Sequence, residues 1–396
     1  MSRNAHKKKL YNFKEERNMK LRRLVAIGMT VALSATMFSG VSVYADNSDP
    51  EPFKIGFPWD TANTDPTWIS IYNNVKAAVE SAGGELVNVV TDNSADGLID
   101  NISELISRDV DGILFMPASD SMLPAVDAMC ADAGVYWGTM FRTISDDDIR
   151  EAMYDSEWYA GGCNEDDETC SSNIVKSMAD MGVTDLGVIN IAKGDTSSDL
   201  RDKGAAEGAE EAGVNILNTT YDITVTTDMT KTIESYIAAY PEMNGILVLG
   251  TYCGGAIPTI EKALADHDKA GDIKVGRIDF ETTLGDYLKE GTFNVSYGGQ
   301  QQIDPLVSAV ILVNKVIGTP IVEDGPTNII TPYLELTTAE EADQFNEYFL
   351  GDDAVYTADE IKDKMIKFYN PDIDMDYMND LISTFSIADV VERHSK

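Results

Sequence analysis

Histidine is nearly absent from this chain. Of 396 residues, three are His, and only His267 and His394 lie beyond residue 45. Neither falls at a predicted strand end. Nucleophile–histidine catalysis and histidine-rich metal binding therefore lack their parts. No GxSxG, P-loop or GxGxxG follows a strand, which removes the usual hydrolase, nucleotidase and dinucleotide signatures. The chain reads as a binding protein, not an enzyme, and implies no cofactor.

Basic residues are also scarce. Lys and Arg number 30 against 67 Asp and Glu, for a net charge of −37. Residues 1–45 hold nine Lys or Arg and two Glu; removing that +7 from −37 leaves −44 on the rest. Such a surface repels nucleic acid and anionic lipid. It suits a neutral ligand, or one held by local positive groups. Carboxylate pairs are too common here to mark a glycosidase. Asp372, Asp374 and Asp376 have the spacing that opens a calcium loop. That loop needs Gly at its sixth position and Glu at its twelfth; Tyr377 and Ser383 stand there. No metal site is expected.

Long apolar runs are missing too. Leu24 to Phe38 is the strongest, and it is too short for a lasting membrane span. Lys20, Arg22 and Arg23 precede it, and Val43-Tyr44-Ala45 follows as a small-residue cleavage site. Residues 1–45 thus read as a signal peptide, with Asp46 as the mature terminus and a destination outside the cytoplasm. No Cys lies near that site to carry a lipid anchor. Cysteine is limited to four. Export permits disulfides. Cys163 and Cys170 flank the polar stretch NEDDET, and a disulfide between them is expected, stabilising by roughly 2–3 kcal/mol. Cys130 and Cys253 sit among apolar residues on predicted helices and read as buried free thiols.

What is abundant is alternation. Phe53 to Phe57 is a short apolar run, followed by a loop with Pro58 and Pro66. Apolar residues then recur with helical spacing from Trp68 to Val79. Strand and helix patterns alternate from there: Glu85–Thr91, Asp111–Pro117 and Val135–Phe141 as strands, with helices between. Residues 144–172 read as an acidic, irregular break. A second round runs from Ile174 to Ile317. Alternation of this kind predicts an α/β fold with parallel, doubly wound sheets, used twice. Residues 346–396 read as a C-terminal helical extension packed on the second half.

In open α/β sheets, ligands lie beyond the carboxyl ends of the strands. That places Trp59, Asp65 and Trp68 at a candidate site, with Arg142, Arg201, Asp279 and Gln300 at other strand ends. Guanidinium, carboxylate and amide groups bond vicinal hydroxyls, and aromatic faces cover C–H patches. For Arg142 and Arg201, the competing reading is a surface salt bridge.

The first strand with DPTW, then DGILFMPAS, VYWGTMFR, GDTSSDLRDKG, GILVLGTYCGGAI, VGRIDF and NKVIG together resemble a known family. The chain is similar to type I periplasmic binding proteins of the ribose-binding kind, the solute-binding parts of ABC sugar importers, over about residues 53–340. The resemblance implies two Rossmann-like lobes joined by a three-crossing hinge. Lobe one covers about 46–156 and 300–333, and lobe two about 157–299 and 334–345. The crossings are expected near Ser156, Gln300 and Tyr333. It also implies ligand roles for Asp65, Trp68, Arg142, Arg201, Asp279 and Gln300. Thr251, with Tyr252 beside it, stands where the family carries Asn, and Phe141 where it carries Asp. The implied protein is a monomer that captures a small neutral sugar for ABC permease subunits. A receptor serving a membrane sensor kinase or chemoreceptor is the alternative.

Overall fold

Two six-stranded sheets organise the chain. The computed structural model describes residues 49–251 and 253–395. The expected signal peptide and Tyr252 lie outside them. The first sheet is built from β1 (Lys54–Pro58), α1 (Pro66–Ser81), β2 (Glu85–Val89), α2 (Ala95–Ser107), β3 (Gly112–Phe115), α3 (Leu123–Ala133), β4 (Tyr136–Thr139), α4 (Asp147–Tyr154) and β5 (Tyr159–Glu165). The second follows with α5 (Asp167–Asp180), β6 (Asp185–Ile189), α6 (Thr196–Ala212), β7 (Asn215–Thr220), α7 (Thr226–Ala239), β8 (Gly245–Val248), α8 (Ala256–Asp266), β9 (Lys274–Ile278), α9 (Leu284–Glu290) and β10 (Val295–Gly298). Then α10 (Gln300–Val316) and β11 (Thr327–Thr331) return to the first sheet, and β12 (Leu334–Leu336) to the second. Four helices close the chain: α11 (Ala339–Tyr348), α12 (Ala358–Met365), α13 (Met375–Ser383) and α14 (Ile387–His394).

The strand orders are β11-β5-β4-β3-β1-β2 and β12-β10-β9-β8-β6-β7. All pairings are parallel except β10 with β12. The expected parallel α/β architecture is what the chain adopts. The inner strands β1, β3, β6 and β8 are short, buried apolar runs, as parallel strands covered on both faces must be. Helix starts are equally local. Asp65, Ser94, Asp146, Asp166 and Asp195 each accept a backbone N–H of the first turn, which satisfies donors the helix itself leaves open. Helix α10 is buried from Gln302 through Asn314 and packs across β3, β4 and β5, so it is the spine of the first lobe.

Three expectations need correction. The stretch 144–172 is not an irregular break. It holds α4, and β5 pairs with both β4 and β11. The chain therefore first crosses between sheets at Glu165–Asp167, after β5, and not near Ser156. The other crossings run through Gly298–Gln300 and through Tyr333, between β11 and β12. Second, no disulfide joins Cys163 and Cys170: all four cysteines are free and buried. NEDDET is no loop to be closed, because Asn164 and Glu165 end β5 and Asp167 opens α5. Cys163 faces α10, where its N–H donates to Ser308 Oγ at 2.9 Å, while Cys170 sits in the second lobe's core. Cys253 is a buried thiol as expected but precedes its helix. Third, the C-terminal extension does not rest on the second half alone, since α12 packs against α1 of the first lobe.

Candidate functional site

Helices α5 and α6 set the centre of the site. Gly204 and Gly208 face the backbone of Glu168 and Ser172, and a Cβ on either glycine would overlap those atoms. Four-residue spacing puts both glycines on one helix face, so the two backbones approach closely. One turn earlier on α6, Arg201 is thereby carried to Asp167 at the start of α5. Its Nε donates to Asp167 Oδ1 at 2.6 Å, Nη1 to Leu249 O at 2.6 Å and Nη2 to Tyr333 OH at 3.0 Å. Glu165 Oε2 lies 3.6 Å away. Tyr333 OH also lies 3.0 Å from Glu165 Oε2 and 2.8 Å from Asp167 Oδ1. The guanidinium, only 3% exposed, ties the first crossing (Glu165, Asp167) to the third (Tyr333). Arg201 is expected at a ligand; here protein acceptors take its donors.

Burial pushes the Glu165 carboxyl well up, the Asp167 charge adds to that, and Arg201 opposes it. Asp279 and Asp304 raise it further, so these acids lie within reach of one field. Asp304, on α10, accepts from Phe141 N at 3.0 Å and from Ser308 Oγ at 3.2 Å. Burial raises it to about 7 against those two hydrogen bonds and the Arg142 charge. A raised carboxyl has a defined linkage sign. Its stability contribution is complete below the unfolded value near 4 and is lost as pH rises through the folded value. Asp304→Asn is therefore expected to flatten the fall in melting temperature between about pH 4 and about pH 7 and to raise it at pH 8. Melting curves across that range check this; an unaltered profile in the variant would reject it.

Asp279 and Gln300 come together. Gln300 Nε2 donates to Asp279 Oδ1 at 2.7 Å, joining the end of β9 to the start of α10. Asp279 has φ +74° and Phe141 φ +67°; Asp279 directly follows β9, and Phe141 lies two residues past β4. Non-glycine residues seldom adopt that region and often do so at functional sites. Arg142 reaches across the lobes: Nη1 donates to Ser197 Oγ on α6 at 3.0 Å. Close by, the Ser145 and Thr196 hydroxyls are 3.4 Å apart. The lobes are thus in contact at Arg142. Among the described residues no carboxylate pairs with Arg142, which disposes of the salt-bridge reading for it. For Arg201 the ion pair is real, but it is buried.

The remaining expected residues divide. Trp59 is 1% exposed, stacks between Phe57 and Trp68 with centroids 5.2 and 4.4 Å away, and donates Nε1 to Trp68 O. It is mainly core. Asp65 is exposed and caps α1 through Thr67 N at 2.8 Å. Thr251 donates to Ile223 O at 2.8 Å and accepts from Cys253 N at 3.0 Å, so it shapes a turn. Trp68 is half-buried; its Nε1, Gln300 Oε1 and Asp304 Oδ2 are buried without hydrogen-bond partners among the described residues. Trp59 and Trp68 also border a hollow of about 260 Å³ with Tyr72 and Asn88, lined by first-lobe residues.

Sequence reading missed Glu165, Asp167, Tyr333 and Asp304 as parts of this cluster. Only Asp304 carried a visible signal, being a lone carboxylate in the apolar run IDPLVSAVILV.

A family model described as a periplasmic binding protein domain matches residues 55–304. No curated protein matches the chain. Among solved structures, a galactofuranose binding protein is 17% identical with a TM-score of 0.62, covering 76% of this chain and 100% of its own. A periplasmic ribose ABC transporter protein from Conexibacter woesei is 16% identical with a TM-score of 0.62, covering 76% and 97%. An ABC transporter solute binding protein from Mycobacterium smegmatis, with bound glycerol, is 15% identical with a TM-score of 0.59, covering 74% and 96%. These likenesses establish a shared fold.

Proposed function

Because the chain belongs to the periplasmic binding protein family, a family of extracytoplasmic binding proteins rather than enzymes, we propose that it closes its lobes on a small neutral sugar and delivers it to an ABC permease. The observation that carries this reading is the convergence at the lobe junction. The Asp279–Gln300 pair lies in the same field as Glu165 and Arg201, and Arg142 reaches over from the first lobe. A carboxylate, an amide and a guanidinium can each bond two hydroxyls with directional hydrogen bonds. Half-buried Trp68 offers an aromatic face near the end of β1. The sugars named for proteins of this fold, galactofuranose and ribose among them, belong to the same chemical class. No helix among the described residues is long and apolar enough to cross a membrane. Export through residues 1–45 and action as a monomer complete the proposal.

A thermal-shift screen of pentoses, hexoses and their furanose forms tests it. A sugar at 100 times its dissociation constant stabilises the native state by about 2.7 kcal/mol, a shift of several degrees. Silence across all sugars, with a clear shift from an amino acid or nucleoside, would replace the sugar by that class.

A further inference from the structure

The C-terminal helices form a bridge between the lobes. Helix α11 follows β12 directly and belongs to the second lobe. There Phe345 packs edge-on against Phe280 at 4.6 Å, Asn346 Nδ2 donates to Thr282 O at 2.9 Å, and Asp343 pairs with Lys289. Residues 355–395 belong to the first lobe. Val355 N donates to Asn74 Oδ1 on α1 at 3.0 Å. Asn314 of α10 donates to Met365 O at 2.9 Å and accepts from Lys367 N at 2.8 Å. All three of these bonds to Asn74 and Asn314 are at buried side chains, where an unmet partner is costly.

The two anchors meet in one joint. Phe349 lies 4.8 Å from Phe345 and 5.7 Å from Phe385, and Tyr348 meets His394 edge-on at 6.2 Å. Arg393 stacks over Tyr356 at 3.9 Å and donates to Val355 O, holding α14 to the first-lobe anchor. Beside the joint a hollow of about 470 Å³ lies between α1 and the exposed Asp352–Asp353 turn. The crossings near Glu165, Gly299 and Tyr333 are each a few residues of hinge. Residues 349–354, between the two anchors, carry the chain across a fourth time, and the joint beside them adds a non-covalent connection made of ring contacts.

We propose that residues 339–395 are a clasp that limits how far the two lobes separate, and that opening proceeds by parting the α11–α14 joint. Rotation about the hinge moves α11 with the second lobe and α12–α14 with the first. The aromatic contacts at Tyr348, Phe349, Phe385 and His394 must then slide or break. Because interlocked side chains have discrete arrangements, such a joint favours one lobe angle over a continuum. Here that angle brings Arg142 to Ser197.

The test reads the lobe separation of the unliganded full-length mature protein, so its outcome does not depend on the solute proposed above. The four native cysteines are buried. Spin labels on Asp148→Cys (α4) and Glu210→Cys (α6), both at exposed positions, report the distance by pulsed electron resonance. Tyr348→Ser with His394→Ser removes the half-buried rings of the joint. The expected result is a longer mean separation and a broader distribution than in the labelled parent. If that variant loses its circular-dichroism signal, the milder Tyr348→Leu with His394→Gln is measured in its place, with the same expectation. A folded variant whose distance distribution matches the parent's overturns the clasp.

Discussion

Arg201→Met is expected to destabilise the protein by about 3–5 kcal/mol, the cost of leaving buried charges without their partner. The guanidinium serves Asp167, Leu249 O and Tyr333 directly and lies 3.6 Å from Glu165. Methionine fills much of the volume but none of the charge. Two carboxyls then share one phenol donor in a site closed to water. The loss should be greater at pH 8 than at pH 5, because Glu165, already raised by burial and by Asp167, takes up a proton on the acid side and relieves the repulsion. Urea unfolding at both pH values measures it. A loss under about 1 kcal/mol, the range of an exposed pair, would show that the network is not what joins these crossings. Arg201→Lys should fall between, because a point charge cannot meet three acceptors in the geometry of a planar fork.

Asp279→Asn and Arg142→Ala are expected to weaken solute binding by one to two decades while leaving the unliganded melting temperature nearly unchanged. Each removes one charge-assisted hydrogen-bonding group from the lobe junction, worth roughly 1.5–3 kcal/mol. Asparagine is the sharper replacement at 279. The residue sits at φ +74°, a conformation that Asn tolerates and Ala resists. Its Oδ1 can still accept from Gln300, so only the charge is lost. Arg142 has no carboxylate partner among the described residues and touches the second lobe through Ser197 alone in the described hydrogen bonds. Its charge opposes the raised carboxyl of Asp304, but that carboxyl keeps its hydrogen bonds from Phe141 N and Ser308 Oγ, so the expected cost is small beside that of losing Arg201. Calorimetry with the strongest sugar from the thermal screen decides. Unchanged affinity in both variants would discard the junction as the binding site; a large drop in stability with affinity intact would make either residue structural.

The contrast between the two arginines marks the boundary of what sequence conveys here. Both lie in segments that follow strands, both are rare cations in an acidic chain, and the same resemblance assigns both to a ligand. They differ because Gly204 and Gly208 let α6 close on α5 and bring Arg201 to Asp167. The loop after β4 leaves Arg142 facing a hydroxyl. Strand alternation, helix spacing and the capping Asp and Ser residues are local. Periods of two and 3.6 residues and single side-chain caps write themselves directly into the chain, and the two-sheet α/β fold was legible from them. β5 was not, because YAGGCNE has too few large apolar residues to resemble a strand. Its glycines are there for close approach: a Cβ at Gly161 or Gly162 would strike the backbone of Thr327 or Thr139 on the neighbouring strands.

The sequence by itself determined an α/β chain with acidic surfaces, poor in catalytic groups, and the strand ends from which a binding site is drawn. Only the tertiary structure decided that Cys163 and Cys170 stay apart, that Trp59 is core, and that Glu165, Asp167, Arg201 and Tyr333 form one buried cluster. It also decided that the C-terminal helices reach both lobes. Each of these depends on contacts between residues distant along the chain, and a buried ion pair or an aromatic joint leaves no period or spacing in the sequence to announce it.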